Sequence, residues 1–439
     1  MSKIEINLTL TLNIPDEGFN VNGLLFGLKK ASTQIMLCIT KALFHAIEQK
    51  AVVKIKNTHI DKIICYGRCR PRTLKTSFGS LRYGFQKLKN IDTNQILIPL
   101  RDKLKIPRYR QYQDESMESA IGLSAHLSYN RSDKEVERIR GSGASRWTVW
   151  RRLQEFSDAQ CQFPDFRKTP YVFLLVDGTG IHLQGPGGID MGQKKMRWAL
   201  ASTGVGQPFD IVGVWVDKHW REIAKDLKER LNCNKLEILI SDGGPGIQDN
   251  LLSEGMRHQR CIFHGKRDFS FLLYQDSMKK SEQEPFVKFF KQIPAVSFIQ
   301  SDMEKVRVND RPYIDELCKR TEKSFKLLID VLDQTKYPKS RRYVENLSMH
   351  VSTFFDWWLD RSEWIPNTSN LIENRFSQVK NRIKRIGKRW SDDGLQKWLM
   401  VVIQKIFTPE NWTRLWDQFL DINKPLVLDK ISVSYVWLL

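Results

Sequence analysis

Two aspartates stand in matching contexts. In VFLLVDGTG, residues 172–180, an apolar run leads into Asp177 and a glycine; in LEILISDGG, residues 236–244, another ends at Asp242 and a glycine pair. Short apolar runs closed by glycine predict strands buried on both faces. Each would deliver a carboxylate where the strand gives way to solvent. Either aspartate alone also suits an ordinary turn or cap, but two such strands can bring both carboxylates to one sheet edge. A third acid, Glu373, falls in the first turn of a helix predicted over NTSNLIENRFSQVKNRIKRI, residues 367–386, which Thr368 or Ser369 can cap. One face of that helix carries Leu371, Phe376, Val379 and Ile383, and the others carry Arg375, Lys380, Arg382, Lys384 and Arg385. Glu373 is then either a salt-bridged surface residue or the last member of an acidic trio whose basic surroundings hold DNA.

The elements that must position these acids follow from the change of period along the chain. From residue 170, YVFLLVD, GIHLQG, MRWALAST and FDIVGVWV read as strands, HWREIAKDLKERL as a helix and LEILISD as a further strand. Three antiparallel strands, a helix and a strand bearing a second acid are the element order of a ribonuclease H-like domain. In that sheet the first and fourth strands are neighbours, which would set Asp177 beside Asp242. GGPGIQDNL, residues 243–251, lacks the Gly-Lys-Ser/Thr of a phosphate loop, and its glycines more simply open a helix with Pro245 near the first turn. HQRCIFHGKRD, residues 258–268, holds Cys261 and His264 two residues apart, either half of a zinc site or packing beside the acids. Residues 265–365 read as a long helical insertion, with Trp357, Trp358 and Trp364 as core or as base-stacking rings.

Upstream, residues 115–157 have the pattern of a helix-turn-helix. ESMESAIGLSAHL and SDKEVERIR are helical, with Ser132 a predicted N-cap and Glu135 three residues on; GSGA makes a turn. SRWTVWRRLQEF opens at a second cap, Ser145, and spaces Trp147, Trp150, Leu153 and Phe156 along one face. Arg146, Thr148, Arg151 and Arg152 are left to face a groove, although any three-helix unit shares this pattern. Before it, residues 4–12 alternate as a half-buried strand and residues 33–50 form an amphipathic helix. Residues 61–90 place Arg and Lys among Tyr66, Phe78, Tyr83 and Phe85, which suits a hairpin lying along phosphates or simply a solvated basic hairpin. Cys65 and Cys69 lack the second pair that a closed zinc site needs.

Composition narrows the class of partner. The 439 residues carry a formal net charge of +20, a self-repulsion that a bound polyanion such as nucleic acid relieves. Seven cysteines, an odd number scattered along the chain, fit a reducing compartment better than a disulfide framework. The opening MSKIEINLTLTLNI has neither the basic nor the apolar region of a signal peptide, and IMLCITKALFHAI is too short to span a bilayer. A soluble, intracellular protein with no membrane partner is expected.

VDGTG, ISDGG, RCIFH with its Cys-x-x-His, a helical stretch of about a hundred residues and TSNLIENRFSQVKNRIKR occur in that order. In this the chain resembles the DDE transposases of Mutator-like type and their prokaryotic insertion-sequence relatives, over roughly residues 120–405. KRWSDDGLQKWL, residues 388–399, is similar to the segment after the last acid in such enzymes. Residue by residue, the resemblance makes Asp177, Asp242 and Glu373 the catalytic and metal-binding acids and matches Cys261 and His264 to the family's Cys-x-x-His pair. The N-terminal 110 residues match nothing in it.

The implied fold is α/β: a ribonuclease H-like catalytic domain over 168–264 and 366–405, interrupted by the helical insertion 265–365. It is preceded by an α+β region, 1–110, expected to contact DNA, and by the helix-turn-helix, 111–160; a C-terminal helix and tail fill 406–439. The implied activity is cleavage at the ends of a mobile element and joining of the 3′-hydroxyl to target DNA. Three carboxylates within a few ångströms repel by roughly 4 kcal/mol per pair at an effective dielectric near 20, so cations must intervene. Hard oxygen ligands select Mg²⁺ or Mn²⁺, two ions about 3.5–4 Å apart in such sites. Soft sulfur does not belong there, so Cys261 and His264 are expected to position the elements after Asp242. Glu363 and Glu345 are the fallbacks for Glu373. The partners implied are double-stranded DNA, as element ends and as target, and further copies of the chain in a homodimer or higher oligomer on it; the location implied is cytoplasmic and nucleoid-associated. Two other readings stand beside this one: a nuclease or resolvase on the same fold that cuts without joining, and a domesticated DNA-binding regulator.

Overall fold

The computed structural model describes residues 3–12, 20–58, 62–140, 143–386, 390–422 and 425–427. The first half of the expected GSGA turn, residue 388 and Arg389 of the segment after the last acid, and the end of the tail lie outside these. The protein is mixed α/β and divides into two compact units, residues 1–161 with 401–439, and residues 162–400.

In the first unit a long helix, α1 (Val21–Thr58), precedes four short strands, β1 (Ile63–Arg68), β2 (Arg72–Thr76), β3 (Gly79–Tyr83) and β4 (Gln86–Asn90). They form nested hairpins, β2 on β3 and β1 on β4, and a two-residue strand β5 (Ile96–Leu97) adds to β4. The basic stretch 61–90 is thus two hairpins, in which Tyr83 and Phe85 are core while Tyr66 and Phe78 are exposed. Glu48 of α1, fully buried, accepts from Tyr83 Oη at 3.0 Å, from the Gln86 N–H at 2.8 Å and from Arg68, which pins the helix to the hairpins. Residues 3–12 form no strand and are exposed. Their alternation has no partner edge among the described residues, and a strand needs one.

After a short helix α2 (Pro99–Lys103) come α3 (Asp114–Ser124), α4 (Tyr129–Arg140) and α5 (Arg146–Gln160), which pack on one another. Ser145 caps α5 as expected, accepting the Thr148 N–H at 3.3 Å. Ser132 caps nothing: α4 begins three residues earlier, and the Ser132 hydroxyl donates to the Ser128 carbonyl inside the helix.

The second unit is built on a five-stranded sheet. Its strands are β6 (Phe173–Gln184), β7 (Asp190–Ser202), β8 (Asp210–Val216), β9 (Ile238–Ser241) and β10 (Arg257–Arg260), in the spatial order β10-β9-β6-β7-β8. The first three pair antiparallel; β9 lies parallel to β6, and β10 parallel to β9. Two helices, α6 (Trp220–Arg230) and α7 (Ile247–Leu251), follow β8 and β9. Trp220, Ile223 and Leu227 of α6 bury one sheet face through Leu174, Val176, Ala199, Val212 and Leu239.

The expected insertion consists of α8 (Ile262–Gln275), α9 (Lys280–Gln292), α10 (Pro294–Ser297), α11 (Gln300–Met303), α12 (Arg311–Val331), α13 (Pro338–Ser348) and α14 (Thr353–Arg361). It does not separate as a body of its own. Trp357 packs on Phe173 of the sheet, Trp358 stacks on Trp364 at 5.5 Å, and Gln259 accepts the Phe354 N–H, so Trp357 and Trp358 are core and Trp364 is half-buried against Trp358. α15 (Asn370–Ile386) and α16 (Asp392–Val402) follow. The last helix, α17 (Trp412–Phe419), belongs to the first unit and wraps Phe156 of α5 with Trp412, Trp416 and Phe419.

Among the described residues no helix is long and apolar enough to cross a membrane.

Candidate metal centre

The parallel pairing of β6 with β9 stops at Val176 opposite Ser241, one residue before each aspartate. The strands end differently. β9 does stop, and Asp242 opens the following loop, where its Oδ1 accepts the Gly244 N–H at 2.8 Å. β6 instead runs on to Gln184 as a long hairpin with β7, so Asp177 sits mid-strand, opposite Trp198 and 2% exposed. The expectation of a strand-end Asp177 is corrected here: Gly178 and Gly180 make no turn. Side chains of β7 cross them, and a Cβ on Gly180 would lie 2.0 Å from Gln193 Nε2.

Trp198 then sets the third acid. Its ring meets Phe376 edge-on at 5.9 Å, which lays α15 along β6. The buried stripe of α15 is Ile372, Phe376 and Val379; Leu371, expected inside, is 38% exposed. Glu373, one turn before Phe376, comes over Asp177, and Lys380 two turns on donates to Thr179 Oγ1 at 2.9 Å.

A clamp fixes the start of this helix. Cys261, at the N-terminus of α8, donates its backbone N–H to the Ser241 carbonyl at 2.8 Å, and its Sγ accepts the Ser369 N–H at 3.3 Å. The Ser369 hydroxyl lies 3.3 Å from His264 Nδ1, and His264 Nε2 lies 3.5 Å from Glu373 Oε1. One Cys-x-x-His turn thus ties the end of β9 to the first turn of α15. Sequence reasoning placed Cys261 and His264 beside the site and saw Ser369 only as a cap; the sulfur–amide and hydroxyl–imidazole contacts join residues over a hundred positions apart and leave no local pattern.

Asp177, His264 and Glu373 can each point a ligand atom so that all lie within 4.8 Å of one another. Asp242 is outside this close group but near enough for its charge to act on Asp177. Burial first, then that charge, raises the Asp177 carboxyl to about 7. Burial pushes the His264 imidazole down, yet Cys261 and Asp177 outweigh it and hold the ring up at about 9. A protonated His264 therefore offsets the repulsion between the buried Asp177 and the half-buried Glu373. Glu373 Oε1 is buried without a hydrogen-bond donor. An orphaned carboxylate oxygen facing a second carboxylate and an imidazole is a site that a divalent cation would complete. Two oxygens and one nitrogen suit Mn²⁺ at least as well as Mg²⁺, so the residues present fit the expected metal.

The loop after Asp242 is held from the side. Gly243 has φ +71°, and a Cβ there would lie 2.0 Å from the guanidinium carbon of Arg260. Arg260 is itself buried and donates to Asn346 Oδ1 at 2.7 Å. The Ser241 hydroxyl accepts the Gly243 N–H at 3.0 Å and lies 2.9 Å from His258 Nε2.

The expected DNA-facing cations divide. Arg146 and Arg151 are exposed on α5. Arg152 is not: it is buried and ion-paired with Glu155 and with Asp114 at 3.6 Å, because the acids beside it offer what a groove would. Its place outside is taken by Trp147 and Trp150, 61% and 39% exposed, which were expected in the core. On α15, Lys384 and Arg385 are exposed. Arg382 donates to the Gln378 carbonyl of its own helix, and Arg375 turns to the Phe209 carbonyl at 3.2 Å. Of the fallback acids, Glu345 pairs with Arg341 and Glu363 is exposed; neither joins the cluster.

No protein-family model matches the chain, and no curated protein matches it.

Proposed function

We propose that the chain is a divalent-metal-dependent DNA transposase of the DDE class, which cuts at the ends of a mobile element and joins the freed 3′-hydroxyl to target DNA. The observation that carries this reading is the meeting of Asp177, Glu373 and His264 within 4.8 Å, with Glu373 Oε1 accepting no hydrogen bond and facing the His264 ring at 3.5 Å. The strand order β10-β9-β6-β7-β8, with the two aspartates following paired residues of adjacent parallel strands, supports a ribonuclease H-like catalytic domain. The mutual packing of α3, α4 and α5, with Arg146 and Arg151 outward, supports the helix-turn-helix reading. The exposed Tyr66, with Lys87 and Lys89 at 5.1 and 5.6 Å from its ring, adds a second basic surface in the first unit.

Asp177, Glu373 and His264, the last after giving up its proton, would hold a Mg²⁺ or Mn²⁺ ion, and Asp242 would contribute to a second. Bound there, such ions lower the pKa of an attacking water or hydroxyl and offset charge on the leaving oxygen. The chain's own residues do the rest. The Cys261–Ser369 contact fixes the height of Glu373 above the sheet. Trp198 and Phe376 set its distance from Asp177. Lys380 on Thr179 places a cation about 10 Å along α15 from Glu373, where it meets the phosphate backbone on one side of the scissile bond.

The test uses the purified full chain and a supercoiled plasmid bearing the DNA that flanks its gene, with Mg²⁺ or Mn²⁺. Nicked and strand-joined products are expected from the wild type. Asp177→Asn, Asp242→Asn and Glu373→Gln should each lose both by several orders of magnitude while still binding the DNA, and double substitutions should add little, as for residues acting as one unit. Cutting without joining would make it a nuclease, and binding without cutting a regulator. A Glu373→Gln protein that cuts and joins at the normal rate would remove Glu373 from the site.

A further inference from the structure

One face of α8 begins at the acid cluster and carries side chains that nothing so far has used. His264 in its first turn points inward. Phe263, Phe271 and Tyr274 point outward and are 52%, 58% and 71% exposed. They recur at i, i+8 and i+11, so they share a helix face, and Arg267 fills the gap at i+4. Arg267 is also exposed, held by Asp268 at 2.8 Å. Large rings standing in line with a guanidinium leave more than half of their surface in water.

We propose that this stripe is a stacking platform for unpaired nucleotides, and that it receives the bases next to the phosphate held at the acid cluster. The inference rests on the reading of that cluster as a site of DNA cleavage, and adds that the substrate is locally unpaired beside the cut. The rings supply π-faces to which any base can stack, and Arg267 supplies positive charge for the connecting phosphates. From residue 263 to residue 274 the helix rises about 16 Å at 1.5 Å per residue, the length of about five nucleotides at 3.4 Å. Duplex DNA keeps its bases inside and cannot use the rings.

A second copy of the chain is the competing occupant, and area argues against it. Three aromatic side chains of about 200 Å² each, a little over half exposed, offer on the order of 350–400 Å². A stable dimer buries roughly 800 Å² per partner. The basic residue at the centre of the stripe, in a chain of net charge +20, would also meet its own like charge across a two-fold contact.

The test compares the full-length wild type with Phe271→Ala/Tyr274→Ala and with the ring-conserving Phe271→Tyr/Tyr274→Phe. The probes are a twelve-nucleotide single strand carrying 2-aminopurine and the same sequence fully paired, both in EDTA so that no chemistry is required. The alanine pair should bind the single strand at least about fivefold more weakly, since losing one stacked base costs about 5- to 150-fold. It should lose the change in 2-aminopurine emission, bind duplex within twofold of wild type, and be rescued by the ring-conserving pair. Equal losses on single strand and duplex, or no loss on either, would overturn the proposal; so would a shift to smaller particles by light scattering in the alanine pair, which would mark the stripe as a contact between copies. Failure of the functional reading looks different: a wild type that stacks the single strand yet never cuts plasmid DNA keeps the platform and loses the transposase.

Discussion

Replacing Asp177 by Asn should stabilise the metal-free protein, and more so at pH 8 than at pH 5. The Asp177 carboxyl is raised from 3.8 to about 7 in the folded chain, by burial and by the Asp242 charge. Between those values the folded chain keeps a proton that the unfolded chain has released, so stability falls as pH rises through that window. The full rise corresponds to about 4 kcal/mol, of which about 3 kcal/mol accrues between pH 5 and pH 8. Asn at this position cannot ionise and escapes the loss. His264, which Asp177 helps to hold up at about 9, releases its proton at lower pH in the variant, which adds to the difference, so a gap widening by about 3 kcal/mol is expected. The measurement is urea unfolding of both proteins in EDTA at the two pH values, followed by tryptophan fluorescence. A gap that stays constant or narrows towards pH 8 would refute the account of Asp177 as a buried carboxylate crowded by other acids. At pH 8, added Mn²⁺ should then raise the midpoint of the wild type and leave that of the variant nearly unchanged.

Arg152→Ala should destabilise the first unit by about 1–2 kcal/mol, because Asp114 and Glu155 lose a buried partner and keep only Arg110; calorimetry checks this. Arg151→Ala, on the exposed side of the same helix, should leave stability within about 0.5 kcal/mol and weaken DNA binding with a reduced salt slope in a filter or anisotropy titration. Gly243→Ala should lower the melting temperature and the cleavage rate together, since it forces a left-handed backbone and displaces Arg260. Cys261→Ser should reduce stability or activity without abolishing DNA binding, because a shorter hydroxyl leaves the Ser369 amide poorly met; stoichiometric zinc lost in this variant would show that Cys261 binds metal instead.

What the sequence made legible was whatever local pattern dictates. Val172–Val176 and Ile238–Ile240 are short apolar runs closed by glycine, the pattern of central strands, and their adjacency follows from the order of the elements between them. The Ser145 cap and the first-turn place of Glu373 were equally readable, because a cap lies within three residues of what it caps. The errors share one cause, a residue type read by its commonest use. Gly178 and Gly180 resembled a turn, but here glycine clears room for Arg197 and Gln193 lying across the strand. Trp147 and Trp150 resembled core and Arg152 surface; two acids, Asp114 and Glu155, and two arginines, Arg110 and Arg152, drawn together from α3, α5 and the preceding loop reversed them.

His264 is the instructive case. Its spacing from Cys261 announced a motif, and soft sulfur beside hard carboxylates argued that the motif supports the site from outside. For Cys261 that reasoning fits the geometry: its sulfur meets an amide, not an acid. For His264 the same turn of helix has the opposite consequence, because three residues of rise carry the imidazole past Ser369 and into reach of Glu373 and Asp177. A local motif fixes the spacing of its members, and only the packing of α8 between β9 and α15 decides that one of them clamps while the other joins the carboxylates. The two roles can therefore be separated by substitution: changing Cys261 should shift where Glu373 sits, whereas changing His264 should shift the charge that Glu373 and Asp177 must share.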